Sequence, residues 1–538
     1  MLEKESSVPD SDDTSVTESR QENATENTRT SAKNAVKAPK KQNGKADSKK
    51  AKKTIGKDKA TKSRNVTSQA TYHDNVIPLS SDGSPDFSQH INQCIEELNR
   101  NYYHIIINGK NRIMRMISAD VGTGLQPEFF TAEEFKAKWS HEQKIPVGYR
   151  GGQITRKSKG DVWLNHADAN FVDGSLDFDP SKPPLTVTPR NRLNIWQGFG
   201  VKPAGIPPSE LLNDEQVAQY LVHIRDVICA GDERDYRYLV EYLAHMVQKP
   251  WEKPSVAIVL KAGQGVGKGT FMAPLITIIG GHALATTQSK DVTGKFNAAL
   301  ESKVLVFFDE AFAGSKQASD MLKGLISELY TRIERKGIDS IRVPNKMRIF
   351  MASNSENIVV VESDDRRYFF LSVSEHVKQD KAYFSERAYM QQSHPDHHQF
   401  VEKLLQYLLN ISIEDFDPHH APVTSELVKQ KIDSLKPEER WVYNILVNDG
   451  IVAGAWPAWM DNQECYQACE NWIDQRKMKP LYGNPATAIG RALNKAGIES
   501  KMHRTGVGDK PERVRVFPSL DQARQTFERF LKGSIDWE

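Results

Sequence analysis

Apolar and polar positions divide the chain before any motif is considered. From Met1 to Val76 large apolar side chains are almost absent, and Ser, Thr, Asn, Lys and acidic residues dominate. Such a stretch buries too little surface to offset the entropy of ordering it, so residues 1–76 are expected to be a disordered tail. Residues 77–205 alternate strand-like pieces (YYHIIING, RIMRMI) with turns and one short amphipathic segment, Glu133 to Trp139, which predicts a small α+β module. In residues 206–250, Val217, Leu221, Ile224 and Ile228 recur at helical spacing behind a capping box of Asn213 and Gln216. A second helix carries Tyr236, Leu239, Val240, Leu243 and Val247 and stops before Pro250, with His245 packed in its apolar surroundings.

The pattern changes again over residues 251–420. Apolar runs in VAIVL, VLVFF, RIFMA and YFFL read as buried strands of a parallel sheet. Met321, Leu322, Leu325, Ile326 and Leu329 form one face of a helix, followed by a hairpin turning near Gly337. Residues 421–538 return to helical spacing, at Trp441 to Val447, at Glu464 to Ile473, and in NPATAIGRALNKAG, which Gly497 closes. Strand-like pieces at Ser500 to Thr505 and Arg513 to Phe517 follow. Three helices and a basic hairpin suggest a winged-helix-like domain, with Arg491, Lys495 and Arg504 facing nucleic acid. The expected class is α/β, set by the parallel sheet and its helical subdomain, with the α+β module before them and the winged-helix-like domain after.

Length and charge add little to this division. The chain has 538 residues, room for about three domains, and a net charge of +2. The tail is acidic first and strongly basic from Lys33 to Arg64, fit either for solubility or for loose phosphate neutralisation. No apolar run reaches bilayer length and no signal-peptide core is present, so a soluble, cytoplasmic protein is expected. Four cysteines make no disulfide framework in a chain this long, and Cys465 and Cys469 lack the second pair a zinc site would use.

The chemistry gathers where the strands end. After VAIVLK comes a glycine-rich loop of Ala262, Gly263, Gln264, Gly265, Val266, Gly267, Lys268, Gly269 and Thr270. Glycines let backbone N–H groups approach an anion at a helix N-terminus, and Lys268 adds a point charge for the outer phosphates of ATP. The loop departs from the Walker pattern at both ends, where Ala262 and Gly269 replace glycine and a hydroxyl residue. Thr270, one position later, is the nearest hydroxyl to a magnesium ion. VLVFFDEA then delivers Asp309, suited to hold magnesium, and Glu310, suited to orient or deprotonate water. Asn354, after RIFMAS, could hydrogen-bond the γ-phosphate or the attacking water. Arg366 and Arg367 precede the next strand, and one could act on a neighbouring subunit's phosphate. The carboxylates of DFDP, Asp177 to Pro180, read as a turn, and the aromatics of LNIWQGFGVKP as packing.

The order GKGT, FFDEA, LKGL with a basic hairpin, ASN and DDRR resembles the superfamily III helicases, a branch of the AAA+ ATPases, of the primase-helicase type found in phages and mobile elements. The resemblance covers roughly Asn191 to Val373. It implies a homo-hexameric ring, single-stranded and forked DNA as partners, and a pore hairpin that grips DNA through Arg335 and Lys336, and it leaves open whether a separate primase or polymerase acts alongside. The expected function is an ATP-dependent DNA helicase in the replication of a phage, satellite or plasmid-like element. Two other readings compete: a replication initiator whose ATP only controls assembly, and a nucleotide kinase, suggested by GKGT.

Overall fold

A computed structural model describes residues 71–537, apart from 73–74, 78, 82, 108, 119–124, 289–296, 311–315, 336–337, 356–358, 452–454, 479–483 and 505–509. The tail over residues 1–70 lies outside the described residues, as do Lys336 and Gly337 at the expected hairpin turn.

Five apolar segments form one sheet: β1 (Ala257–Lys261), β2 (Ala283–Thr286), β3 (Leu305–Asp309), β4 (Arg348–Ser353) and β5 (Tyr368–Ser372). Their order is β2-β3-β4-β1-β5, and every pairing is parallel. Parallel strands are joined by crossovers that cover both faces, so both faces must be apolar. Ile258, Leu260, Phe350, Phe369 and Leu371 enter one core. Their strand neighbours Ala257, Val259, Met351, Tyr368 and Phe370 enter the other. Continuous apolar runs, rather than alternating ones, are what this arrangement requires.

The helices sort onto the two faces. They are α1 (Glu215–Val222), α2 (Glu233–Gln248), α3 (Lys268–Ile279), α4 (Lys316–Ser327) and α5 (His397–Asn410). Tyr220, Leu239, Leu243, Phe271, Leu275, Phe400 and Leu404 of α1, α2, α3 and α5 pack on the first face. Leu322, Leu325 and Ile326 of α4 pack on the second, together with Ile333 of a hairpin formed by Tyr330–Arg335 and Ile338–Pro344. Hence residues 206–250 share a core with the sheet.

Local corrections have local causes. Asp214, not Asn213, caps α1, its carboxylate accepting from Val217 N at 3.1 Å. The helix then widens into a π-helical turn, His223–Ile228. Helix α4 ends at Ser327, leaving Leu329 66 % exposed beyond it. The Asn345 amide donates to Leu325 O and Glu328 O, satisfying the last carbonyls and turning the chain into the hairpin. His245 is a core residue as expected: it is buried, and its Nδ1 accepts from the fully buried Arg348 at 3.1 Å.

Before the sheet, a four-stranded sheet built on Tyr102–Ile107 and Lys110–Ser118 packs around Phe135 and Trp163. Asp179 there accepts from Ser181 N at 3.0 Å, organising a turn, and Trp196 stacks on His282 at 4.4 Å. After the sheet, Pro437–Val447, Trp459–Asp461, Asn462–Gln475, Pro485–Asn494, Glu499–His503 and Glu512–Val516 follow as helix, strand, helix, helix, strand, strand. Among the described residues no helix is long and apolar enough to cross a membrane.

Candidate functional site

Open parallel sheets bind ligands beyond the carboxyl ends of their strands, where the order of connection changes. Strand β1 lies between β4 and β5, and its carboxyl end leads into the glycine-rich loop and α3. Gly265 and Gly267 have φ of +75° and +100°, a region L side chains rarely adopt. A Cβ on Gly267 would lie 2.5 Å from His223 Cε1, so the loop and the histidine fit only with glycine there.

Contacts from three directions tie the loop down. Ala262 N donates to Ser353 O at 2.9 Å and Gln379 N to Gly265 O at 3.0 Å. His223 Nε2 bonds Gly267 O at 3.1 Å. Because a carbonyl only accepts, Nε2 carries the proton, and Nδ1 accepts from the Tyr383 hydroxyl at 2.9 Å. With these carbonyls held back, the N–H groups of the first turn of α3 remain for an anion.

The acidic side of the site meets the loop. Lys268 Nζ lies 3.5 Å from Asp309 Oδ1, the two joined from α3 and the end of β3. That Oδ1 is buried and accepts no hydrogen bond, which fits a carboxylate that receives a cation. The Thr270 hydroxyl is buried and accepts from Gln391 Nε2 at 3.1 Å, so Asp309 is the better-placed ligand of the two expected for magnesium. Glu310 is exposed and adopts φ of +63°, held there as its N–H donates to Ala352 O at 2.9 Å. Such a conformation costs a non-glycine residue of order 1–3 kcal/mol and collects at functional sites. Ser353 of β4 is in register with Lys261, so Asn354, exposed, follows at the same edge of the sheet.

Burial gives His223 a measurable signature. It is fully buried, which pushes its imidazole from 6.5 down to about 4. The unfolded chain therefore binds more protons between pH 6.5 and 4, and the stability held by neutral His223 is complete above that window and lost as pH falls through it. Replacing His223 with Gln should reduce the slope of unfolding free energy against pH there by about 1.4 kcal/mol per pH unit, measured by denaturant titration.

Arg366 and Arg367 lie at the opposite edge. Ala257 N, at the start of β1, donates to Arg367 O at 2.7 Å, whereas Lys261, at its end, is in register with Ser372. A five-residue strand spans about 16 Å, so neither arginine lies beside the loop of its own chain. Arg367 is engaged by Ser327 Oγ at 2.9 Å and Asp365 Oδ1 at 3.2 Å, while Arg366 is exposed.

The expected nucleic-acid residues divide. Arg335 turns inward, paired with Glu301 and stacked over Phe129 at 4.4 Å, so it does not offer a gripping tip. Lys495 is likewise committed, to Glu439 and the face of Phe530 at 4.1 Å. Arg491 and Arg504 are exposed. The hairpin instead presents Arg332 directly opposite Arg342, both exposed, with Arg342 over the half-exposed Tyr330 ring at 4.3 Å. Like charges in that position destabilise a hairpin unless an anion lies between them. Sequence reading missed this pair because its register depends on where the hairpin turns. It also missed His223, which lies 44 residues before its loop partner, and Tyr383, 160 residues beyond His223.

Residues 260–367, which run from the end of β1 to Arg367, match a family of unknown function, DUF5906. Over 217 residues the chain is 22 % identical to the DNA primase-polymerase of Nitratiruptor phage NrS-1, a match covering 39 % of this chain and 29 % of that protein. The chain thus spans less than a third of the relative's length. The apo structure of the NrS-1 C-terminal region matches with a TM-score of 0.54 at 16 % identity, covering 80 % of this chain and 100 % of that one. A second form of that region matches with a TM-score of 0.50 at 16 % identity, covering 71 % and 96 %. The chain is homologous to a phage primase-polymerase and shares the mixed α/β fold of its C-terminal region.

Proposed function

We propose that this protein is an ATP-dependent DNA helicase that serves replication of a phage or related mobile element. The observation that carries the reading is the meeting of Lys268 and Asp309 at the carboxyl edge of the sheet, above a loop whose Gly265 and Gly267 carbonyls are tied back. The strand order β2-β3-β4-β1-β5, with the loop after β1, supports assignment to the AAA+ type of phosphate-binding ATPase. Homology to a phage DNA primase-polymerase supports a role in replication.

In this reading the loop N–H groups and Lys268 bind and orient the triphosphate. Asp309, with phosphate oxygens, would hold magnesium, which when bound draws charge from the phosphoryl group. Glu310 accepts the proton of the attacking water, and Asn354 orients that water or the γ-phosphate. Arg366 serves the site of an adjoining subunit, because it lies across the sheet from its own; a homo-hexameric ring would meet that need. The helix–strand–helix–helix–strand–strand order of the last domain is that of a winged helix, whose Arg491 and Arg504 are available to DNA.

The test is ATP hydrolysis with and without single-stranded DNA, alongside separation of a forked duplex. DNA-stimulated turnover with strand separation is the expected result. Turnover indifferent to DNA, with no strand separation, would refute the motor and favour an ATP-controlled initiator. Within the DNA contact, Arg332→Ala and Arg342→Ala should each lower the slope of log affinity against log salt by about 0.7, read by fluorescence anisotropy on a single strand. An unchanged slope would remove the hairpin face from the DNA path.

A further inference from the structure

Helix α6 (Ser425–Asp433) joins the sheet to the last domain and is fixed at both ends. At its start Glu426, buried, pairs with Lys261 Nζ at 3.0 Å and accepts from Gln430 Nε2 at 3.0 Å. Lys261 is the last residue of β1, immediately before the glycine-rich loop. Just past the end of α6, Ser434 Oγ accepts from Val361 N at 3.1 Å, in the segment that leads to Arg366 at the opposite edge of the sheet. From Glu426 to Ser434 a helix rises about 12 Å, most of the ~16 Å of a five-residue strand, so α6 reaches from one edge of the sheet towards the other. The last domain holds the same helix. Lys431, buried, donates to Leu531 O at 2.8 Å, at the carboxyl end of helix Leu520–Leu531. A Cβ on Gly533 would lie 2.4 Å from Val428 Cγ2, so the chain beyond that helix closes directly on α6. Leu427 packs in the second core of the sheet, and Leu435, just past α6, in the core of the last domain.

We propose that α6 transmits DNA engagement by the last domain to the ATP site, with Glu426 as a positioning residue that holds Lys261 at the root of the loop. The inference rests on the reading of this chain as a DNA-dependent ATPase and assigns the regulation of that same site. A buried carboxylate is costly unless it is paired and hydrogen-bonded, and Glu426 is both, so the joint has a fixed direction that a loose apolar contact lacks. One helix bonded beside the loop and beside the segment of Arg366 shifts both when the last domain moves. A phosphate site tolerates little of this, since a misplacement of about 1 Å costs of order 10²-fold in rate. The domain that carries the exposed Arg491 and Arg504 thus has a bonded route to the loop that does not pass through the hairpin.

The test is the ratio of ATP turnover with saturating single-stranded DNA to turnover without it, on the full-length native protein and two variants. Glu426→Gln keeps the shape and loses the charge. Lys261→Met combined with Glu426→Met replaces the pair by apolar side chains of similar length, which leaves no buried charge unpaired. A contact that only stabilises the fold lowers both rates together and leaves the ratio unmoved. The expected result is a ratio lowered roughly three- to thirtyfold in both variants, as for substitutions along a coupling element. DNA affinity, read by fluorescence anisotropy, should stay within about twofold of native, because Arg491 and Arg504 are untouched. A native ratio in either variant overturns α6 as the route, and so does a loss of DNA affinity that accounts for the lowered ratio. A native protein whose turnover ignores DNA removes the motor reading itself, and this inference with it.

Discussion

Replacing Glu310 with Gln is expected to leave ATP binding intact and slow hydrolysis by about 10²–10⁴-fold, the contribution of a positioned general base. The reason is geometric before it is electrostatic. Glu310 leaves the ladder just past the end of β3, is held in a left-handed conformation by its N–H bond to Ala352 O, and carries an exposed side chain. An amide preserves its shape and hydrogen bonding but accepts no proton from water. Lys268→Ala differs in kind: it removes the charge facing Asp309 and the phosphates, so binding itself should fail. Nucleotide titration with single-turnover hydrolysis distinguishes the two, and native turnover in Glu310→Gln would disprove its role as base. The same variant should lose forked-duplex separation, because in the proposed motor strand separation draws on hydrolysis.

Arg366→Ala should lower turnover by about 10³–10⁵-fold, the effect of an arginine that stabilises charge on a transferred phosphoryl group. Since Arg366 lies across the sheet from its own loop, the loss belongs to the neighbour's site. Arg366→Ala mixed with Lys268→Ala therefore should regain activity neither has alone. In randomly mixed assemblies about a quarter of the interfaces pair an intact loop with an intact arginine, and turnover should approach that fraction. Activity that stays absent at every ratio, in assemblies shown to be mixed by mass, would refute a shared site. Arg367 is a poorer candidate because Asp365 and Ser327 already occupy its guanidinium.

Much of the site was legible locally. Apolar runs of the length of a buried strand, three of them leading into glycine, acid or amide, located the loop, Asp309, Glu310 and Asn354 at strand ends. Parallel strands bring all such ends to one edge, so recognising the strands as parallel assembled these residues without coordinates. Cap and boundary errors were small and arose where a neighbouring polar group decided the end, as Asp214 did for α1 and Asn345 for α4.

Charge was less legible than pattern. Arg335 and Lys495 read as solvent-facing cations from their positions in a basic hairpin and a basic helix. Glu301 and Glu439 claim them across 34 and 56 residues, and Phe129 and Phe530 cover them. Arg332 and Arg342 went unnoticed because only pairing reveals that they oppose each other.

Strand segments, the glycine-rich turn after β1 and the carboxylates at the end of β3 are legible in the residues alone, because each depends on residues within about one element's length. Which charges remain available, which edge of the sheet the arginines occupy and what holds the loop emerge from the folded chain instead. Those outcomes rest on contacts such as His223 with Gly267 and Tyr383, made between segments far apart in the chain, where through-space distance rather than local spacing sets the interaction.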